Sequence, residues 1–404
     1  MSFQYYALPQ NTSGAALIPI SNAPTPLAFL TVVTDDANNL VTLRANIGWR
    51  AALSTTRIIY KIWRTAPGTG TLVCSVQDGA ENFNDYAATT DFSDVVTVTP
   101  NQPVTFILTA ETVDVGAQAS VVGPLSFTAF GTNLTVISYY ELINNTVGGA
   151  NIPIAQAPVP LAYFTVNVQA GQTVILRPSV CWNITGSSLP KVDVLFKLWR
   201  GAPVTGTLVC SADDSADVER AAVTSFSHVD SGFTAAQTVT YVLTAEAPDI
   251  NHAANITGAL TVTASVQTVG AYAVLPQNTS GSVSIPLTTA GTPLASLTLP
   301  ISAGMLVSLR AAAGLAFSSG TSSGTVPVLY KIWRGAPNTG ILIYSTLDSG
   351  ETGFDKFKVT ALGTVDSGFT STGQVTYTLT AELVNASAAA SIIGPLTFTA
   401  VPEN

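Results

Sequence analysis

Apolar and polar residues alternate along most of this chain, in runs of about four to eight residues that close on Gly, Pro, Asn or Asp. No stretch of useful length carries the helical period. In VTYTLTAE (375–382), Tyr377, Leu379 and Ala381 fall on one face and Thr376, Thr378, Thr380 and Glu382 on the other. A strand there turns its aromatic side to the core and a ladder of threonines outward. In the last third the pattern predicts nine strands, near 270–276, 282–288, 292–301, 306–317, 326–334, 340–347, 355–362, 374–383 and 390–401. In YKIWR, Tyr330, Ile332 and Arg334 point one way while Leu329, Lys331 and Trp333 point the other. Both faces carry large apolar groups, so the second needs cover from a loop, a neighbouring domain or another chain.

This pattern occurs three times. YKIWRTAPGTGTLVCS at Tyr60 returns as FKLWRGAPVTGTLVCS at Phe196 and YKIWRGAPNTGILIYS at Tyr330. VTFILTAE, VTYVLTAE and VTYTLTAE end at Glu111, Glu246 and Glu382, and ASVVGPLSFTA returns as ANITGALTVTA and ASIIGPLTFTA. A spacing of 133 to 136 residues is that of whole domains, longer than any solenoid repeat. The expected organisation is all-β, three tandem antiparallel β-sandwich domains of jelly-roll type over 1–134, 135–267 and 268–404. Only FGTNLTV and SVQTVG join them, so successive copies should touch.

Charge changes the picture of the surface. Only 10% of residues are charged, where an ordinary soluble domain has about 25%. Much of the exterior is therefore neutral and suited to burial against other copies. A net charge of −9 with scattered basic residues offers no footprint for nucleic acid or an anionic membrane. The start, MSFQYYALPQNTSG, lacks the regions of a signal peptide, which predicts synthesis in a cytoplasm.

Candidate chemistry is sparse. His228 and His252 have no partner pattern and read as surface or loop residues. No HExxH, GxSxG, P-loop or CxxC motif occurs, and DDSADVE (213–219) reads as an acidic solvated loop in preference to a cation site. No catalytic, cofactor-binding or metal-binding residue is expected, and no cofactor. Cys74 and Cys210 share one place in TGTLVCS, where the third copy has Tyr344, and read as small buried hydrophobes. Cys181 has no counterpart, and an intermolecular bridge stays open for it. The sequons at Asn11, Asn133, Asn144, Asn183, Asn255, Asn278 and Asn385 read as turn asparagines before strand threonines. Four charged positions are fixed by the repeat: Arg44, Arg177 and Arg310; Lys61, Lys197 and Lys331; Arg64, Arg200 and Arg334; Glu111, Glu246 and Glu382. Salt bridges or strand-end hydrogen bonds are the expected roles, ahead of an anion or sugar site.

The VLYKIWR strand with its turn, VTYTLTAE and the closing ASIIGPLTFTA resemble, copy by copy, the exosporium protein C family of spore-forming bacteria. The resemblance covers nearly the whole chain. It implies a non-enzymatic structural protein of the spore surface, in exosporium, coat or parasporal layer, made in the mother-cell cytoplasm and assembled on the spore without secretion. Its partners would be copies of itself and other spore-surface proteins. A surface adhesin or carbohydrate-binding module and a virion structural protein are the alternative classes. Many long strands with short connections also predict resistance to heating.

Successive copies that dock across short linkers leave two unmatched surfaces, one on copy one and one on copy three. YALPQNTSG leads copy one and AVLPQNTSG leads copy three, so copy one is expected to sit on the copy three of another chain, giving an open filament. The rival is a compact pseudo-threefold cluster within one chain.

Overall fold

The computed structural model describes residues 3–34, 39–52, 55–80, 87–131, 137–185, 191–217, 221–249, 253–267, 270–318, 324–351 and 356–403. Copy one comprises β1 (Gln4–Ala7), β2 (Ile18–Ile20), β3 (Thr25–Val33), β4 (Leu40–Ala51), β5 (Thr56–Arg64), β6 (Thr71–Ala80), β7 (Ala87–Thr97), β8 (Pro103–Thr112) and β9 (Ala119–Gly131). Copy two comprises β10 (Ile137–Glu141), β11 (Ile152–Ile154), β12 (Val159–Val168), β13 (Thr173–Ile184), β14 (Lys191–Arg200), β15 (Thr207–Asp217), β16 (Ala221–Ser225), β17 (His228–Asp230), β18 (Gln237–Glu246) and β19 (Ala254–Gln267). Copy three comprises β20 (Ala271–Val274), β21 (Ile285–Pro286), β22 (Thr292–Ile301), β23 (Leu306–Phe317), β24 (Thr325–Arg334), β25 (Ile341–Glu351), β26 (Phe357–Asp366), β27 (Gly373–Leu383) and β28 (Ala390–Glu403). Each of the nine expected strands of copy three has a counterpart, the second reduced to Ile285–Pro286 and the sixth and seventh, β25 and β26, running four residues further than the turn residues suggested.

Each copy is one long hairpin wound around a core. In copy one β5 pairs with β6, β4 with β7, β3 with β8 and β2 with β9, every pair antiparallel and each nested inside the next. The winding sorts the strands into two sheets, β1-β9-β4-β7 with β2 alongside β9, and β3-β8-β5-β6, which is the jelly-roll order. Copies two and three repeat it, with the one change that the strand equivalent to β7 is broken in copy two into β16 and β17. Close packing of backbones explains the GP motif: a Cβ at Gly48 would lie 2.3 Å from the carbonyl oxygen of Gly123, and one at Gly314 2.1 Å from that of Gly394. The ladders shift register at these glycines.

The inward faces are those the alternation predicts: Tyr377, Leu379 and Ala381 are fully buried, as are Tyr330 and Ile332. The threonine face is only partly outward: Thr376 is exposed, but Thr378 and Thr380 are buried, Thr380 under the Trp333 indole. One hydrogen-bonded relay recurs in the core. The Trp49 indole N–H donates to Thr90 Oγ1 (2.9 Å), whose hydroxyl donates to Asp78 Oδ2 (2.5 Å). Trp182, Thr224 and Asp214 repeat the relay, and copy three, with Leu315 in the tryptophan's place, keeps Thr360 on Asp348. The cores do not stop at the copy boundaries. Cys181, Val223 and Ala259 of copy two belong to the apolar cluster of copy one, and Ala312 and Val359 of copy three to that of copy two.

Candidate functional site

The boundaries between copies are three versions of one joint. Between the first two strands of each copy lies an asparagine: Asn11, Asn145 or Asn278. Its Oδ1 accepts from a backbone N–H of its own last strand, Leu125, Leu260 or Leu396 (2.7–2.8 Å). Its Nδ2 donates to a hydroxyl on the same strand, Ser126, Thr261 or Thr397 (2.6–2.9 Å). Nδ2 also reaches the preceding copy, at Asp94 Oδ1 for Asn145 (2.8 Å), at His228 Nδ1 for Asn278 (3.2 Å) and at Thr364 Oγ1 for Asn11 (3.0 Å). Alongside, the asparagine carbonyl accepts from the backbone N–H of Ser75, Ser211 or Ser345 (3.1–3.3 Å). The serine hydroxyl in turn accepts from the N–H of Val147, Ser280 or Ser13 (2.8–3.1 Å). The asparagine thus bolts two copies together through both ends of its amide and its carbonyl, and removing the side chain strands buried polar groups at about 1–3 kcal/mol each.

Copy two docks on copy one, copy three on copy two, and copy one on copy three of the same chain. This corrects the expected contact between chains. The surfaces that were to propagate a filament meet each other within the chain, and the copies close into a pseudo-threefold ring. Further bonds tie the last joint: Tyr344 Oη donates to Asn46 Oδ1 (2.5 Å), Asn46 Nδ2 to the Ala361 carbonyl (2.9 Å), and the Thr89 and Thr346 hydroxyls share a hydrogen bond (2.6 Å). Sequence marked Asn11 and Asn278 only as turn asparagines of sequons and did not mark Asn145 or the serines, although the signal was present: the serine ends TGTLVCS, TGTLVCS and TGILIYS, and the asparagine recurs in each leading segment.

The charged positions locked by the repeat have structural partners. Lys61 pairs with Glu111, Lys197 with Glu246 (2.6 Å) and Lys331 with Glu382 (2.7 Å), each across neighbouring strands. Trp63, Trp199 and Trp333 beside them are buried, their indole N–H groups donating to Thr109, Thr244 and Thr380 (3.1–3.2 Å). The second face of the YKIWR strand therefore finds partners within its own copy. Arg200 and Arg334 form paired hydrogen bonds to Asp230 and Asp366, which also accept from the hydroxyls of Tyr241 (2.6 Å) and Tyr377 (2.7 Å). Arg64 bonds the Thr97 carbonyl instead (2.7 Å).

Arg44, Arg177 and Arg310 are brought together, which no pattern in the sequence indicated. They occupy equivalent places on β4, β13 and β23 and line one small cavity of about 20 Å³. Lined by three equivalent residues, the cavity lies on the pseudo-threefold axis. Ser93, Ser227 and Asp91 also line it. Arg310 Nη1 is 3.8 Å from Asp91 Oδ1, its Nη2 donates to Thr128 Oγ1 (3.3 Å), Arg177 Nη1 donates to Ser265 Oγ (3.4 Å), and Arg44 lies 4.4 Å from the centre of the Phe130 ring. Burial holds Arg44 and Arg310 below the ordinary guanidinium range and brings Arg177 down to about 9. It also raises Asp91, and raises Glu403 to about 7 against the opposing charge of the three arginines.

Other expectations are corrected. His228 is neither exposed nor in a loop: it is a buried strand residue at the joint between copies two and three, and burial lowers it to about 4. His252 lies outside the described residues. Asp213 and Asp214 of DDSADVE are in β15, with Asp214 buried under the Thr224 hydroxyl and Asp213 raised by burial to about 8. Cys74 and Cys210 are buried strand residues, as read. Cys181 is buried too, its thiol directed at the Gln77 carbonyl of copy one (3.6 Å) and raised to about 11, so a bridge to another chain would require opening the ring. Of the sequon asparagines, Asn11 and Asn278 are the buried bolts, Asn183 and Asn255 lie inside β13 and β19, Asn144 and Asn385 are exposed, and Asn133 lies outside the described residues. Among the described residues no cluster of three or more His, Cys, Asp or Glu has the geometry to hold a metal, and no helix is long and apolar enough to cross a membrane.

No protein-family model and no curated protein sequence matches the chain. Among solved structures it is similar to the tandem CBM22-1-CBM22-2 domain of Paenibacillus barcinonensis Xyn10C, at 10% identity and a TM-score of 0.20, covering 66% of this chain and 91% of the other. It is also similar to the infectious bursal disease virus VP2 subviral particle, at 8% identity and a TM-score of 0.21, covering 100% and 80%. A third similar structure is the insecticidal delta-endotoxin Cry8Ea1 of Bacillus thuringiensis, at 8% identity and a TM-score of 0.22, covering 87% and 53%. At these TM-scores the likenesses carry no functional argument; the jelly-roll architecture of this chain rests on its own strand pairing.

Proposed function

We propose that the protein is a non-enzymatic structural unit of the bacterial spore surface, in exosporium, coat or parasporal layer, made in the mother-cell cytoplasm and assembled with copies of itself. The observation that supports this reading is the ring: three jelly rolls locked by one repeated joint, with its repeat-locked charges engaged in ion pairs and hydrogen bonds or gathered on the axis. A repeated, low-charge, closed block is suited to building. Because the joints are satisfied inside the chain, contacts between chains fall to the outward sheets, where Phe29 (70% exposed) and Tyr163 (56% exposed) stand at equivalent places beside the threonine ladder. Such aromatics at neutral surfaces favour association. Sedimentation velocity and electron microscopy of the purified protein over a concentration series test the proposal. An ordered polymer or sheet whose repeating unit is one ring is expected, and it should weaken on Phe29→Ser with Tyr163→Ser. A single chain at every concentration would overturn the assembly, and retention of that single chain on a glycan column would favour the binding-module class.

A further inference from the structure

We propose that the cavity on the pseudo-threefold axis binds a small inorganic anion of halide size between Arg44, Arg177 and Arg310. Three guanidinium groups line it with one carboxyl group, Asp91, and even with Glu403 counted as a more distant neighbour a formal excess of one positive charge is left. Buried charges persist when they are paired and fully hydrogen-bonded. Here they are not: the Nε of each of the three arginines is buried with no hydrogen-bond partner, and among the described residues the only acid within 4 Å of any of them is Asp91, beside Arg310. Arg44 and Arg310 are 5% and 8% exposed, so bulk water does not supply the missing acceptors.

The lining fits an anion better than a water molecule. A water accepts about two hydrogen bonds and carries no charge, whereas a halide accepts from several donors at once and cancels the excess. The Ser93 and Ser227 residues beside the arginines carry additional hydroxyl donors. Some 20 Å³ holds one water-sized or monatomic species. A tetrahedral oxyanion would need the ring to widen. Burial lowers the three arginines, so an anion that relieved their desolvation would favour their charged form. The site belongs to the closed ring alone, because each copy contributes one arginine, and it would therefore lock the ring.

The test is thermal unfolding of the full chain in halide-free gluconate buffer, with bromide replacing gluconate at constant ionic strength, together with bromide anomalous diffraction from soaked crystals. A saturable rise in Tm is expected, roughly 3 °C at a hundredfold excess over Kd, where the unfolding equilibrium shifts by about a hundredfold. One anomalous peak between the three guanidinium groups is expected with it. Phosphate should give a smaller rise than bromide. Arg177→Met, at the least buried of the three, should remove the bromide dependence. Should that variant fail to fold, the diffraction peak in the unaltered chain still decides. Equal melting in bromide and gluconate, an axis without anomalous density, or an undiminished bromide effect in folded Arg177→Met would each overturn the proposal.

Discussion

Asp230 and Asp366 are buried carboxylates, each accepting from an arginine and a tyrosine hydroxyl, while copy one has Val96 and Phe106 at those two places. Acid and hydroxyl are absent together, as expected if a buried carboxylate is tolerated only with all its donors. Val96→Asp alone should destabilise copy one by about 1–3 kcal/mol, because Phe106 has no hydroxyl to donate where Tyr241 and Tyr377 have one. Adding Phe106→Tyr should recover much of that loss, with a coupling of about 0.5–3 kcal/mol in urea unfolding; strictly additive effects would show that tyrosine and aspartate act independently. The sequence placed Arg64, Arg200 and Arg334 at one position and indicated a structural role, because the arginines sit in the best-preserved strand. Their partners were not legible. They lie on β7, β17 and β26, where the three copies share little sequence, and their alignment becomes visible only through pairing with β4, β13 and β23. The place of His228 is hidden for the same reason: with Asp94 and Thr364 it occupies the receiving position of the joint, and three different side chains there leave no repeat to read.

At the level of elements, period-two alternation and turn residues sufficed to locate the strands and their faces. Strand order was out of reach, since each nested pair joins segments separated by a different length of chain, and no local pattern records which segment is the partner. One local repeat does carry a topological message. TPLA, VPLA and TPLA open β3, β12 and β22, the edges of their sheets remote from the joints. Pro26, Pro160 and Pro293 are exposed there, and a register shift follows each. Proline has no N–H to offer an incoming strand, and a bulge twists the edge away from flat pairing, so both devices block strand addition to a surface too poor in charge to repel it. Replacing the three prolines with valine should leave the ring folded and produce sheet-rich aggregates, read as sedimenting mass and thioflavin fluorescence, at concentrations where the unaltered chain gives none. A triple variant that stays as dispersed as its parent would mean the bulges alone guard the edges.

For the molecule as a whole, the sequence showed that two complementary surfaces had to be left over but not how they would be matched. Ring or filament depends on the rotation from each copy to the next, and rotation is written in no single motif. The likeness of YALPQNTSG to AVLPQNTSG was a sound guide to the contact: Asn11 meets copy three as Asn278 meets copy two. It was silent on whether the two belong to one chain. Closure within the chain has the advantage of effective concentration, which for short connections is of order millimolar and exceeds that of any separate chain at micromolar levels. Melting of the joints should therefore not depend on protein concentration. Removing residues 1–14 takes away Asn11 and Ser13 together with β1, exposing Ser345 and Thr364 on copy three while leaving the joints at Asn145 and Asn278 untouched. The shortened chain should melt several degrees lower, and a synthetic peptide of residues 1–17 should restore the loss in a saturable way. The same peptide with Asn11→Ala should not, because it lacks the group that donates to Ser126 and Thr364 and accepts from Leu125. Unchanged melting after truncation, or equal rescue by the altered peptide, would show that the leading segment of copy one is not what closes the ring.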